Sequence, residues 1–175
     1  PSGVHYAHLV DHARAHIADR YRRRWDDRAL RWVLARILPH PGRFRLALLA
    51  ARLGRPFRRL VPDARLRAML ALAPARVPPV SRAEDPQTHP ATAPRRMRVA
   101  LMTGCAQRAL DPGISAAAIR LLTRLGAEVV IVPQGCCGAL THHMGRTREA
   151  RATAATNIAA FAREIDGAGL DAIVI

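Results

Sequence analysis

Three cysteines are the only thiols in this 175-residue chain, and they are not scattered. Cys136 and Cys137 are adjacent and framed by glycines, Gly135-Cys136-Cys137-Gly138, while Cys105 lies upstream in Thr103-Gly104-Cys105. Thiolates that converge bind soft metals, and zinc takes cysteine with histidine. A disulfide is disfavoured, because adjacent cysteines bridge poorly and three is an odd number. The flanking glycines let the backbone turn sharply and come close to a bulky group. Two other readings stay open. Each thiol taken alone reads as a small buried hydrophobe, and zinc could add His142 or His143 as a fourth ligand.

The elements around the thiols favour convergence. Val99-Ala-Leu-Met102 precedes Cys105, Val129-Val-Ile-Val132 precedes the Cys-Cys pair, and a helical pattern from Ile114 to Leu125 lies between. Strand, helix and strand in that order suit a right-handed crossover between parallel strands. Parallel strands put all three thiols at carboxyl ends, where open α/β sheets build their sites. The expected fold class is therefore α/β, with a Rossmann-like parallel sheet carrying the cysteines. Asp171-Ala-Ile-Val-Ile175 reads as a third strand.

Met102-Thr-Gly-Cys105, followed by Gly135-Cys-Cys-Gly-Ala-Leu-Thr-His-His-Met-Gly145, resembles the cysteine-rich CCG domain. Proteins carrying that domain include the heterodisulfide reductase B subunit and the iron–sulfur subunits of glycolate, lactate and anaerobic glycerol-3-phosphate dehydrogenases. Within the group, the opening Pro1-Ser-Gly-Val-His-Tyr-Ala-His-Leu-Val-Asp-His-Ala-Arg14 and Thr103-Gly-Cys-Ala-Gln107 are most similar to the iron–sulfur subunits of glycolate oxidases. The resemblance covers most of the chain and thins between about residues 74 and 96. It implies a 4Fe-4S cluster with Cys105, Cys136 and Cys137 among its ligands, and Gly104, Gly135, Gly138, His142 and His143 beside it. It also implies a partner subunit that holds FAD and oxidises glycolate, and electron flow toward a membrane acceptor. On that reading the chain is one subunit of an oxidoreductase, catalytically inactive alone, cytoplasmic, with peripheral contact at the inner face of the membrane. The same electron-transfer role in a related lactate, glycerol-3-phosphate or heterodisulfide oxidoreductase is one alternative, and a structural zinc or scaffold module without redox work is the alternative of another class.

The resemblance also implies what lies outside the chain. Pro1 reads as the proline after the last cluster ligand of a preceding ferredoxin-like domain, which would hold further 4Fe-4S clusters. The next cysteine of the CCG set is expected shortly after Ile175. This piece alone is accordingly expected to hold no intact cluster.

Composition divides the chain in two. All 28 basic residues are arginine. Residues 1–97 carry 20 arginines against 7 acidic residues, a balance of +13; residues 98–175 carry 8 against 6, a balance of +2. The domains expected are a helical segment over residues 1–73, a Pro-rich linker over 74–97, and the cysteine-rich α/β domain over 98–175. Helices are predicted from Val4 to Arg22, around Leu30, Val33, Leu34 and Ile37, from Arg43 to Leu53, and from Ala64 to Leu72. Pro39 and Pro41 end the second of these. No apolar run approaches the roughly 20 residues of a membrane-spanning helix, and no secretory signal is visible.

Three readings of the arginines compete: solvated helix faces, an anionic membrane surface met with Trp25, Trp32 and Phe44, and the acidic face of a partner. Arg31 and Arg36 are expected on an outward face beside an exposed Trp32. Nucleic acid is disfavoured, since aromatics are few and no recognition motif occurs. His5, His8, His12 and His16 recur at helical spacing, which reads as incidental more readily than as a second metal site. His142 and His143 follow the Cys-Cys turn, either as donors to cluster sulfurs or as caps of the next helix.

Overall fold

The computed structural model of the chain describes residues 3–175; Pro1 and Ser2, and the reading placed on Pro1, lie outside the described residues. Two faces of a small sheet organise the second half. Strand β2 (Met97–Leu101) lies between β3 (Ala127–Ile131) and β4 (Ala172–Val174), parallel to both. Side chains alternate across a strand, and here both faces are covered, so both sets are apolar, as parallel sheets require. Val99, Leu101, Val129 and Ile131 pack against Ile119 of α6 (Gly113–Arg124). Ala100, Val130 and Val132 pack on the opposite face against Ala160 and Phe161 of α8 (Thr147–Asp166). The expected α/β class and its parallel sheet are present.

Segment 74–97 is more than the expected linker. It contributes β1 (Gln87–His89), which pairs antiparallel with the outer edge of β3, and β2 already begins at Met97. Glu84, in the same segment, is 1% exposed. Its carboxylate lies 3.5 Å from the guanidinium of Arg108, and burial pushes its pKa up. Gln-Thr-His has no apolar alternation to announce a strand; edge pairing alone makes it one.

The first half is helical as expected: α1 (Tyr6–Arg20), α2 (Trp25–Ile37), α3 (Pro41–Gly54), a 3₁₀ turn (Arg55–Leu60) and α4 (Ala64–Leu72). Pro41 starts α3 instead of merely ending α2, because proline's fixed φ and missing N–H suit the first helical position. Asp63 caps α4, its carboxylate accepting the N–H groups of Arg65 at 2.8 Å and Leu66 at 3.1 Å. These helices do not stand apart from the sheet: α3 packs on α5 (Cys105–Leu110), and α1 packs on α7 (Ala139–His143).

One charge sits inside the sheet's end. Arg98 of β2 is 8% exposed. Its guanidinium donates to Glu128 of β3 at 2.7 Å, to Glu164 of α8, and to the carbonyl of Gly169 at 2.8 Å. Its backbone N–H donates to the carboxylate of Asp171 at 2.7 Å. A single side chain thus ties β2, β3, α8 and the approach to β4. Removing the Arg98 side chain takes this partner from Glu164 and the Gly169 carbonyl, while Glu128 keeps Arg95 at 3.6 Å and both glutamates keep some solvent. Arg98→Ala is therefore expected to cost about 2–4 kcal/mol, read as a fall in the denaturant midpoint with the slope unchanged; a loss below about 0.5 kcal/mol would contradict the network's role.

Candidate metal centre

Parallel pairing of β2 and β3 sends the loops after both strands off the same edge, and there the thiols meet. The sulfurs of Cys105 and Cys136 are 3.4 Å apart. Cys105 opens α5 directly after the β2 loop, half-buried, while Cys136 is buried and Cys137 is exposed. The expected convergence therefore holds for Cys105 and Cys136, and Cys137 turns outward beside them. Burial pushes the Cys105 thiol up to about 12, helped by its hydrogen bond to Cys136 and by the nearby charges of Cys136 and Cys137.

The Cys-Cys turn is held by residues that the spacing of the cysteines does not reveal. Asn157 of α8, 4% exposed, grips it twice: its carbonyl accepts the Gly135 N–H at 2.9 Å, and its amide donates to the Cys136 carbonyl at 3.1 Å. Gln134 stitches the two loops together, donating to the Leu101 carbonyl at 2.9 Å and accepting the Thr103 N–H at 3.3 Å. Gly138 has φ +85°, and a Cβ there would come within 2.9 Å of the Ala150 carbonyl. Only glycine fits both demands. The Gly138 N–H points at the Cys136 sulfur, 3.4 Å away, and the Thr141 hydroxyl donates to the Gly138 carbonyl at 2.8 Å. Gly104 precedes α5 with ordinary extended backbone, and Gly135 meets only Asn157.

Over the thiols lies a cavity of about 520 Å³, lined by Cys105, Cys136, Thr103 and Gln134 from the sheet edge. Its far wall is the α2–α3 corner, with Ala35, Arg36, Pro39, His40 and Pro41. His40 is thus a histidine that the sequence reading did not single out, and it lies nearer this chemistry than the periodic set at His5, His8, His12 and His16.

His142 and His143 face the other way, toward α1. The Asp11 carboxylate lies 3.3 Å from His142 Nε2 and 3.3 Å from His143 Nδ1, and Arg14 reaches His143 Nδ1 at 3.2 Å. Slight burial works against it, but the two imidazoles hold the Asp11 carboxyl below its usual range. Arg31 closes the same corner by donating to the Met144 carbonyl at 2.8 Å, so it is not the outward-facing cation expected. Arg36 stays exposed and stacks on Trp32, 5.6 Å from the ring centre. Phe44 is half-buried and lines an apolar cleft with Leu34 and Leu48.

The donor set suits a thiolate-ligated metal group in kind: soft sulfur ligands, two in contact, beneath a cavity with room for a bulky guest. It is short in number, and among the described residues no three His, Cys, Asp or Glu side chains are disposed to hold a metal ion. Metal ligation needs thiolates, and a bound cationic centre would reverse the upward push on Cys105.

Comparison with known proteins fits this edge of the sheet. The model of the cysteine-rich domain CCG matches residues 99–175. The chain is 34% identical over 175 residues to the glycolate oxidase iron-sulfur subunit of Escherichia coli (strain K12), covering 99% of this chain and 39% of that protein. It is 32% identical over 178 residues to the probable glycolate oxidase iron-sulfur subunit of Bacillus subtilis (strain 168), covering 92% of this chain and 39% of that one. The chain therefore spans about two fifths of the length of the curated relatives it matches. No solved structure matches it.

Because Asn157 satisfies two backbone groups of the Cys-Cys turn at once, Asn157→Ala should lower stability by about 2–3 kcal/mol. It should also speed alkylation of Cys136 in the metal-free protein. Unchanged alkylation together with an unchanged melting temperature would show that the turn holds without it.

Proposed function

We propose, from the match of residues 99–175 to the cysteine-rich CCG domain, that the chain is part of an iron–sulfur electron-transfer subunit of a glycolate oxidase. The observation that carries the reading is the meeting of Cys105 and Cys136, 3.4 Å apart, at one sheet edge beneath a cavity. Cys105, Cys136 and Cys137 would hold a 4Fe-4S cluster, with a further thiolate supplied from outside this stretch of chain. Such a cluster supplies one-electron chemistry, at a potential set by hydrogen bonds, charge and burial around its sulfurs.

The chain's own residues do the positioning. Asn157 and Gln134 fix the two loops, and the Gly138 N–H offers a hydrogen bond to sulfur of the kind that tunes such potentials. The α2–α3 corner lines the same cavity as the thiols. Oxidation of glycolate to glyoxylate belongs, on this reading, to a flavin-bearing partner. The subunit passes the electrons toward a membrane acceptor and lies peripherally at the inner face of the membrane.

The full-length protein, purified without oxygen, is expected to show visible charge-transfer absorbance and to contain iron rather than zinc. That absorbance should bleach when glycolate is added with the flavin subunit. Stoichiometric zinc and no visible band would replace this reading with a structural module. The 175-residue piece, reconstituted alone, should retain little iron compared with the full-length chain; stable stoichiometric iron in the piece would contradict the need for ligands from outside it.

A further inference from the structure

The arginines of the helical half are not equivalent. Around the small cavity beside Trp32, Arg23 pairs with Asp27 at 3.3 Å, Arg31 with the Met144 carbonyl at 2.8 Å, and Arg146 with Glu149 at 2.6 Å. These cations are spent on holding the fold together. Residues 52–60, Arg-Leu-Gly-Arg-Pro-Phe-Arg-Arg-Leu, are different. They contain four arginines and no acidic residue. A hollow of about 490 Å³ is lined by Arg52, Arg55, Arg58 and Arg59 with only Pro56 and Ala75 besides.

The end of α3 and the 3₁₀ turn sort these residues into two stripes. Residues three or four apart share a face in such helices. Arg52, Arg55 and Arg58 therefore form one line, and Leu53, Phe57 and Leu60 form the next. The apolar line protrudes: Leu53 is 76% exposed, Phe57 63% and Leu60 79%. Exposed apolar side chains cost free energy in water, and this row lies beside a row of cations in a stretch with no acidic residue. A fluid layer that accepts protruding apolar groups below a plane of negative charge matches both stripes at once. No helix among the described residues is long and apolar enough to cross a membrane, so the contact would be peripheral.

We propose that the edge formed by residues 52–60 docks on an anionic lipid surface, its arginines at the headgroup phosphates and Leu53, Phe57 and Leu60 in the acyl boundary. This rests on the reading of electron transfer toward a membrane acceptor, and it moves the contact away from Trp25, Trp32 and Phe44.

The test floats full-length protein with phosphatidylcholine vesicles, with and without phosphatidylglycerol, at low and high salt. Binding is expected only with phosphatidylglycerol, weakening as salt screens the charges. The triple variant Arg55→Glu, Arg58→Glu, Arg59→Glu should bind at least about tenfold more weakly. A control with the same change of net charge, at the exposed Arg22, Arg28 and Arg124, should keep most of the affinity. Phe57→Ser with Leu60→Ser should abolish the binding that survives at high salt, and circular dichroism checks that each variant is folded. The proposal is overturned if phosphatidylglycerol vesicles do not bind, or if both triple variants lose equally. It is also overturned if the patch variant leaves vesicle binding intact and loses the flavin subunit instead. A protein that fails to bind vesicles yet is still reduced by glycolate with its flavin partner would sink only the docking surface.

Discussion

Because β2 and β3 run side by side in the same direction, the two chain segments that follow them must leave the sheet at one edge. Everything chemical in this chain depends on that pairing. Had the strands been antiparallel, Cys105 and Cys136 would stand a strand's length apart, roughly 17 Å for five residues. Parallel strands need a long connection, and α5 and α6 supply it, with α6 burying the face that carries Val99 and Val129. The sheet's own stability therefore sets the sulfur positions. Arg98 joins both strands to α8.

The helical half completes what the sheet begins. The α2–α3 corner lines the thiol cavity, α3 packs on α5, and α1 meets α7 through Asp11, His142 and His143. The segment that carries the cysteine pair is thus held from two sides: by Asn157 from α8 within the sheet domain, and by α1 and Arg31 from the helical half. A group bound at Cys105 and Cys136 would sit at the junction of the two halves.

Much of this was legible in the residues. The two apolar runs, the helical pattern between them and the cysteines just past each run were enough for a parallel sheet with thiols at its edge. The helices of the first half follow from apolar spacing. What escaped was carried by contacts far apart in sequence. Asn157 lies 22 residues from Gly135, and an asparagine in the middle of a helix gives no local sign that it holds a distant turn. His142 and His143 looked like neighbours of the site because they follow Cys137 closely, but α7 turns them toward Asp11, 132 residues from His143. Arg31 looked solvated because its partner is a carbonyl in the other half of the chain. The strand at Gln87–His89 had no pattern of its own, since pairing with β3 alone defines it.

The central claim is that Cys105 and Cys136 are ligands of one iron–sulfur cluster. Iron content and low-temperature paramagnetic resonance of reduced full-length protein test it most directly, comparing the unaltered chain with Cys105→Ser and Cys136→Ser. The account predicts that each substitution removes the same signal and about four iron atoms per chain, while signals from clusters bound elsewhere persist. Unchanged iron and an unchanged spectrum in either variant would contradict it.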